Sequence, residues 1–80
     1  MTAVILGAGP KALAQTQERL KSLRLMRHAI IGKNDDAPGM TYFVFDGPLR
    51  PEHVQALFGI SKEFKTLGLM VYKEYPGDGD

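Results

Sequence analysis

The apolar positions of this chain come in two spacings, continuous short runs and runs at helical period, and the two alternate along the sequence. Ala3-Val4-Ile5-Leu6 is continuously apolar, the pattern of a strand covered on both faces. Gly7-Ala8-Gly9-Pro10 stops it. The spacing then predicts a helix from Pro10 to about Met26, with Leu13, Thr16, Leu20 and Leu23 on one face and Lys11, Gln15, Glu18, Lys21 and Ser22 outward. Gly9 suits its N-cap and Pro10 its first position, where the missing N–H has no helical partner. Arg24 and Arg27 fall near its C-terminal end, where cations complement the helix dipole.

The centre of the chain reads as a hairpin. One strand lies around His28–Ile31, within the basic stretch Arg27–Lys33. Asn34–Gly39 holds Asn, Asp, Pro and Gly, each a turn former by its own mechanism. Tyr42–Phe45 follows as four large β-favouring residues, and Asp46-Gly47-Pro48 ends it. A second helix starts near Pro51, with Val54, Leu57, Phe58, Ser61 and Phe64 on one face and Gly59 on the opposite side. The alternative is a break at Gly59 with Ser61 capping a short turn. Lys62 and Lys65 suit the last turn, and Gly68 the left-handed position beyond it. Leu69–Tyr75 reads as the last strand.

The order β-α-β-β-α-β is that of a ferredoxin-like α+β domain, a four-stranded antiparallel sheet with two helices on one face. Residues 1–75 form this single domain, and 76–80 are expected as a flexible acidic tail. In that topology the first and third strands are central, and here they are the continuously apolar ones. The second and fourth runs carry Arg27, His28, Lys33, Lys73 and Glu74, charges that keep edge strands from stray pairing. Alternation assigns Phe43 and Phe45 with Leu69 and Val71 to the core. It leaves Tyr42 and Val44 with Met70 and Tyr72 on the uncovered face.

Composition narrows the possibilities. Eighty residues, 44% apolar and 24% charged, make one small ordered domain rather than a disordered chain. With no cysteine there is neither disulfide nor thiolate metal site. No apolar run is long enough to cross a bilayer, and the start lacks a secretory pattern, so a cytoplasmic protein without membrane contact is expected. The net charge of +1 hides a split: six Lys/Arg and one acid through Lys33, eight acids and four bases from Asn34 onward. Such a split marks either a polyanion-binding face or a solvated basic helix.

Candidate chemistry is sparse. Val4-Ile5-Leu6-Gly7-Ala8-Gly9-Pro10-Lys11-Ala12 resembles the glycine-rich fingerprint of Rossmann dinucleotide-binding proteins, with alanine in the last position. The resemblance implies a pyrophosphate at the first helical turn. No acidic residue ends the next strand for a ribose, the chain is too short for the remaining parallel strands, and a tight strand-to-helix turn accounts for the glycines. His28 and His53 have no partners at metal-ligand spacing. Asp35 and Asp36 lie in a turn without the ligand spacing of a calcium loop, and Ser22 and Ser61 lie on helices without a nucleophile elbow. Gly39–Phe45 loosely resembles the third-strand signature of RNA-recognition domains, without its basic start, and the first strand has no aromatic residue for base stacking.

The sequence thus points to a protein that is not an enzyme and uses no cofactor or metal. The expected function is a small protein-binding module, a regulator or inhibitor, acting through Tyr42, Val44, Met70 and Tyr72 on the uncovered sheet face, with a homodimer through the sheet as one form. The alternative is a nucleic-acid binder whose basic first helix meets phosphates through Arg19, Lys21, Arg24 and Arg27.

Overall fold

The computed structural model describes residues 2–47 and 49–76, the side chains of Thr2 and Pro76 excepted, so the expected tail at 77–80 lies outside the described residues. The elements are β1 (Thr2–Ala8), α1 (Leu13–Ser22), a single 3-10 turn (Met26–His28), β2 (Ile30–Gly32), β3 (Thr41–Phe45), α2 (Pro51–Phe64) and β4 (Met70–Pro76). The strands pair antiparallel throughout, in the order β2-β3-β1-β4. This is the ferredoxin-like arrangement, with the two continuously apolar strands at its centre.

Pairing register decides which residues share a face. Val4 lies opposite Phe45 and Leu6 opposite Phe43, and all four are completely buried. They meet Leu20 and Leu25 after α1's inner face and Leu57, Ile60 and Phe64 of α2 in one core. Both helices therefore cover this face. Two buried hydroxyls need partners in it. Ser61 donates to the Phe58 carbonyl at 2.7 Å, and Thr16 donates to the Met70 sulfur at 3.8 Å, a weak acceptor.

Several boundaries differ from those expected, each for a local reason. β1 runs through Gly7 and Ala8 instead of stopping at Leu6. The Gly9 N–H still bonds the Leu69 carbonyl at 2.8 Å, so the chain leaves the sheet only after Gly9. The turn at Pro10–Ala12 comes next, and α1 starts at Leu13 with no side-chain cap. It ends four residues before Met26. Arg24 takes the left-handed conformation (φ 59°), Leu25 N–H bonds the Leu20 carbonyl, and Arg24 N–H bonds the Lys21 carbonyl. This is a Schellman cap, and it drives Leu25 into the core beside Leu20. Leu23, expected on the inner face, is 41% exposed, and Leu25 replaces it.

The cap also consumes chain that was expected to be strand. His28 closes the 3-10 turn, and β2 is only three residues long. Arg27, His28 and Lys33 therefore flank the edge strand instead of standing in it. In the hairpin, Asp36 N–H bonds the Asn34 side-chain oxygen at 2.9 Å, and Gly39 takes φ 92°, which no other residue type adopts as cheaply. α2 runs unbroken through Gly59, which faces open space. Its buried face is Leu57, Ile60, Ser61 and Phe64; Phe58, expected among them, is 46% exposed. Gly68 is not a left-handed cap. It lies where a Cβ would come within 3.0 Å of the Lys11 Cβ, so it allows the β4 entry to pass close to the α1 entry.

Candidate interaction surface

The face of the sheet away from the helices has a definite composition. In antiparallel pairs, residues opposite each other point the same way. One row across the sheet is Ile30, Val44, Ile5 and Lys73; the next is Gly32, Tyr42, Gly7 and Val71; Ala3 and Tyr75 begin a third. No helix covers these side chains. Ile30 is 57% exposed and Tyr75 43%, while Ile5, Tyr42, Val44 and Val71 are partly exposed. Lys73 is the one charged side chain in these rows.

Gly7 shapes this surface. A Cβ there would stand 2.8 Å from Cε1 and 2.9 Å from Cδ1 of Tyr42. The tyrosine ring thus lies down across the central strand, which a side chain at position 7 would prevent. Beside it is a shallow concavity of about 400 Å³ lined by Ile5, Tyr42, Val44, Val71, Lys73 and Tyr75. The lining is mostly apolar, with two phenols, an ammonium and the Asn34 amide at hand. It offers apolar contact and polar groups for orientation.

Four residues were expected on this face, and the structure brings two of them there. Tyr42 and Val44 are neighbours on it. Met70 and Tyr72 are on the helix side, and this corrects the expectation. Ala8 pairs with Met70 and Leu6 with Tyr72, and both β1 residues are buried in the core. Met70 accordingly takes the Thr16 hydroxyl, and Tyr72 packs edge-on against Phe58 at 5.2 Å. Leu69 and Val71 are reversed in turn: Leu69 precedes the strand and is 65% exposed, and Val71 joins the open face. β4 is apolar on both sides at this point, so alternation alone does not orient it. Gly7 is the signal that does: a glycine in a central strand marks a close approach, and its two pairing partners, Tyr42 and Val71, belong on its face.

On the helix side, the Tyr72 hydroxyl is buried without a hydrogen-bond partner among the described residues. Burial, with the Glu74 carboxylate nearby, pushes its pKa up to about 12. The phenol is thereby held neutral.

The basic residues divide as well. Arg19 forms a bidentate pair with Glu63 (3.0 and 2.8 Å) and lies over the Phe64 ring at 5.1 Å, so it joins α1 to α2. The ion pair holds the Glu63 carboxyl below its ordinary range and raises Arg19. Lys21, Arg24 and Arg27 are exposed and in no ion pair among the described residues.

The glycine-rich turn does not form a phosphate cradle. Gly7 accommodates Tyr42, Gly9 bonds Leu69, and the helix begins three residues after Pro10. Among the described residues no three His, Cys, Asp or Glu side chains are grouped so as to hold a metal ion. Among the described residues no helix is long and apolar enough to cross a membrane. Compared with known protein families, curated proteins and solved structures, the chain finds no match.

Proposed function

We propose that the protein is a small, non-enzymatic binding module, a regulator or inhibitor, that engages another protein through the open face of its sheet. The observation that supports this is the uncovered apolar row Ile30–Val44–Ile5 with Tyr42, Val71 and Tyr75 beside it. Tyrosine among aliphatic residues suits a surface that is wet when free and dry when bound. Lys73 sets the partner's chemistry: an ammonium inside a desolvated apolar contact requires a carboxylate opposite it.

Size favours a reversible partner over a permanent second copy. Four strands of three to seven residues span at most about 20 Å by 20 Å, roughly 400 Å² before side-chain relief. A stable interface needs about 800 Å² on each side. Nucleic-acid binding draws on Lys21, Arg24 and Arg27, but Arg19 is held by Glu63, and the central strand β1 carries no aromatic side chain for bases.

The test pairs capture from the native host with two variants on neighbouring positions of one strand. Val71→Glu, on the open face, should abolish capture. Tyr72→Phe, on the helix side, should leave it intact, and moderate salt should be tolerated. Equal capture by both variants overturns the reading. A dimer in sedimentation that Val71→Glu dissolves assigns the face to a second copy; retention that collapses with salt and with Arg24→Ala plus Arg27→Ala assigns the protein to nucleic acid.

A further inference from the structure

We propose that the free edge of β2 accepts an additional strand from the partner, an extended acidic segment whose apolar side chains rest on Ile30 and Ile31. The inference rests on the protein-binding reading and adds the partner's chemistry and position. β2 pairs with β3 on one side and with no strand on the other, among the described residues. Natural edges are blunted by charges within the strand, and β4 has Lys73 and Glu74. β2 has none: Ile30 is 57% exposed on the open face, and Ile31, paired with Phe43, is 51% exposed on the other face. An exposed isoleucine on each side of an unpaired backbone is a template for strand addition. An added strand also enlarges the footprint. The open face alone falls short of a standard interface, and Ile30 carries it without interruption to the β2 edge.

Charge selects the occupant. Between Glu18 and Asp35 the chain has no acid, and Lys21, Arg24, Arg27 and Lys33 surround β2 in sequence. None of the four is in an ion pair among the described residues. Arg24 is held at φ 59°, a conformation that glycine or asparagine adopts more cheaply, and its exposed cation stands at the end of α1. A second copy pairing β2 to β2 would bring two such basic stretches together and is disfavoured. A nucleic acid has no backbone to continue the sheet and nothing to stack on two isoleucines. An acidic strand satisfies both features at once.

The probe is an acetylated, amidated peptide of alternating glutamate and valine, titrated into the isotope-labelled full chain. Amide shifts and slowed hydrogen exchange should centre on residues 30–32, and binding should weaken about tenfold between roughly 50 and 300 mM salt. Arg24→Gly should keep or raise the thermal midpoint, because glycine suits the left-handed position, while weakening the peptide severalfold. The lysine–valine counterpart should not bind. Shifts confined to Tyr42, Val71 and Tyr75 overturn the edge inference and leave the protein-binding reading standing. An oligothymidylate that displaces the peptide from residues 30–32 with equal affinity makes the corner a general polyanion site and overturns it too. Silence at every amide does the same, while capture by Val71→Glu reports separately on whether a protein partner exists at all.

Discussion

The two faces of β1 and β3 are built from residues one position apart, yet they behave as different materials. Val4, Leu6, Phe43 and Phe45 are wholly buried beneath the helices. Ile5, Tyr42 and Val44, their chain neighbours, are only partly covered. Hydrophobicity does not separate the two sets, since Ile5 and Val44 are as apolar as Val4. Contact separates them: the inner set is filled from above by Leu20, Leu57, Ile60 and Phe64, and the outer set is filled by nothing among the described residues. The inner face therefore holds the domain together, and the outer face is free for something else to fill.

Substitution at adjacent positions is the strongest way to break this contrast. Phe43→Ala should cost about 3–5 kcal/mol, the range for a buried aromatic truncated in a core. That is a large part of the roughly 4–12 kcal/mol expected of an 80-residue domain. Tyr42→Ala, one residue away, should cost about 1 kcal/mol, as it removes a ring that is partly in solvent. Urea unfolding of both variants checks the pair. Equal costs would show that the two faces are not mechanically distinct.

Gly7 provides a sharper, smaller test. Gly7→Ala sets a methyl group 2.8 Å from the Tyr42 ring and should cost about 1–3 kcal/mol. In the Tyr42→Ala background the same substitution should cost much less, because the nearest contact after the ring is the flexible end of Met40 at 3.2 Å. A double-mutant cycle measures the coupling. Additive costs would mean that the ring does not lie across the strand.

The difference between faces also shows how far the sequence could be read. Order and centrality of strands were legible because they rest on long apolar runs and on turn residues with fixed mechanisms. Face assignment was legible on β3, where Phe43 and Phe45 outweigh Tyr42 and Val44. It failed on β4, where Leu69, Met70, Val71 and Tyr72 are all apolar enough for either side. There the deciding information is register against β1, a long-range pairing that alternation does not encode. The extent of β2 was illegible for a related reason. Arg24 is an unusual residue for a left-handed cap, so the helix end that removes residues from the strand carries no glycine to announce it. The make-up of the open face was accordingly half legible: Tyr42 and Val44 were placed on it, and Val71, Ile5 and Tyr75 depend on pairing.

Tyr72 tests the corrected assignment through pH. Its phenol is raised from an ordinary 10.0 to about 12, chiefly by burial. Between these values the folded chain keeps a proton that the unfolded chain has lost. Unfolding therefore releases it, and this contribution to stability, fully present below pH 10, declines as pH rises towards about 12. The urea midpoint of the wild type should fall through this window more than that of Tyr72→Phe. At neutral pH the phenylalanine variant should be as stable or more so, because it removes a buried hydroxyl that has no hydrogen-bond partner among the described residues. An open-face tyrosine would show neither effect, and parallel pH profiles for the two proteins would return Tyr72 to that face.

The smallest effect belongs to the Arg19–Glu63 pair, which joins the two helices of the covered layer across 44 residues of sequence. Both side chains are substantially exposed, at 40% and 52%, so solvent and salt screen the attraction. The sign is still fixed. Arg19 lowers the Glu63 pKa, so the folded state binds this proton less readily than the unfolded chain. The stabilisation is present above the ordinary carboxylate range and disappears as pH falls through the lowered folded value. Glu63→Gln should therefore shift the urea midpoint slightly downward at neutral pH and low salt, and not at all at strongly acid pH, where both proteins carry a neutral group. The same shift should shrink as salt is added. A difference between variant and wild type that ignores both pH and salt would show that Glu63 acts by packing on α2 and not through its charge.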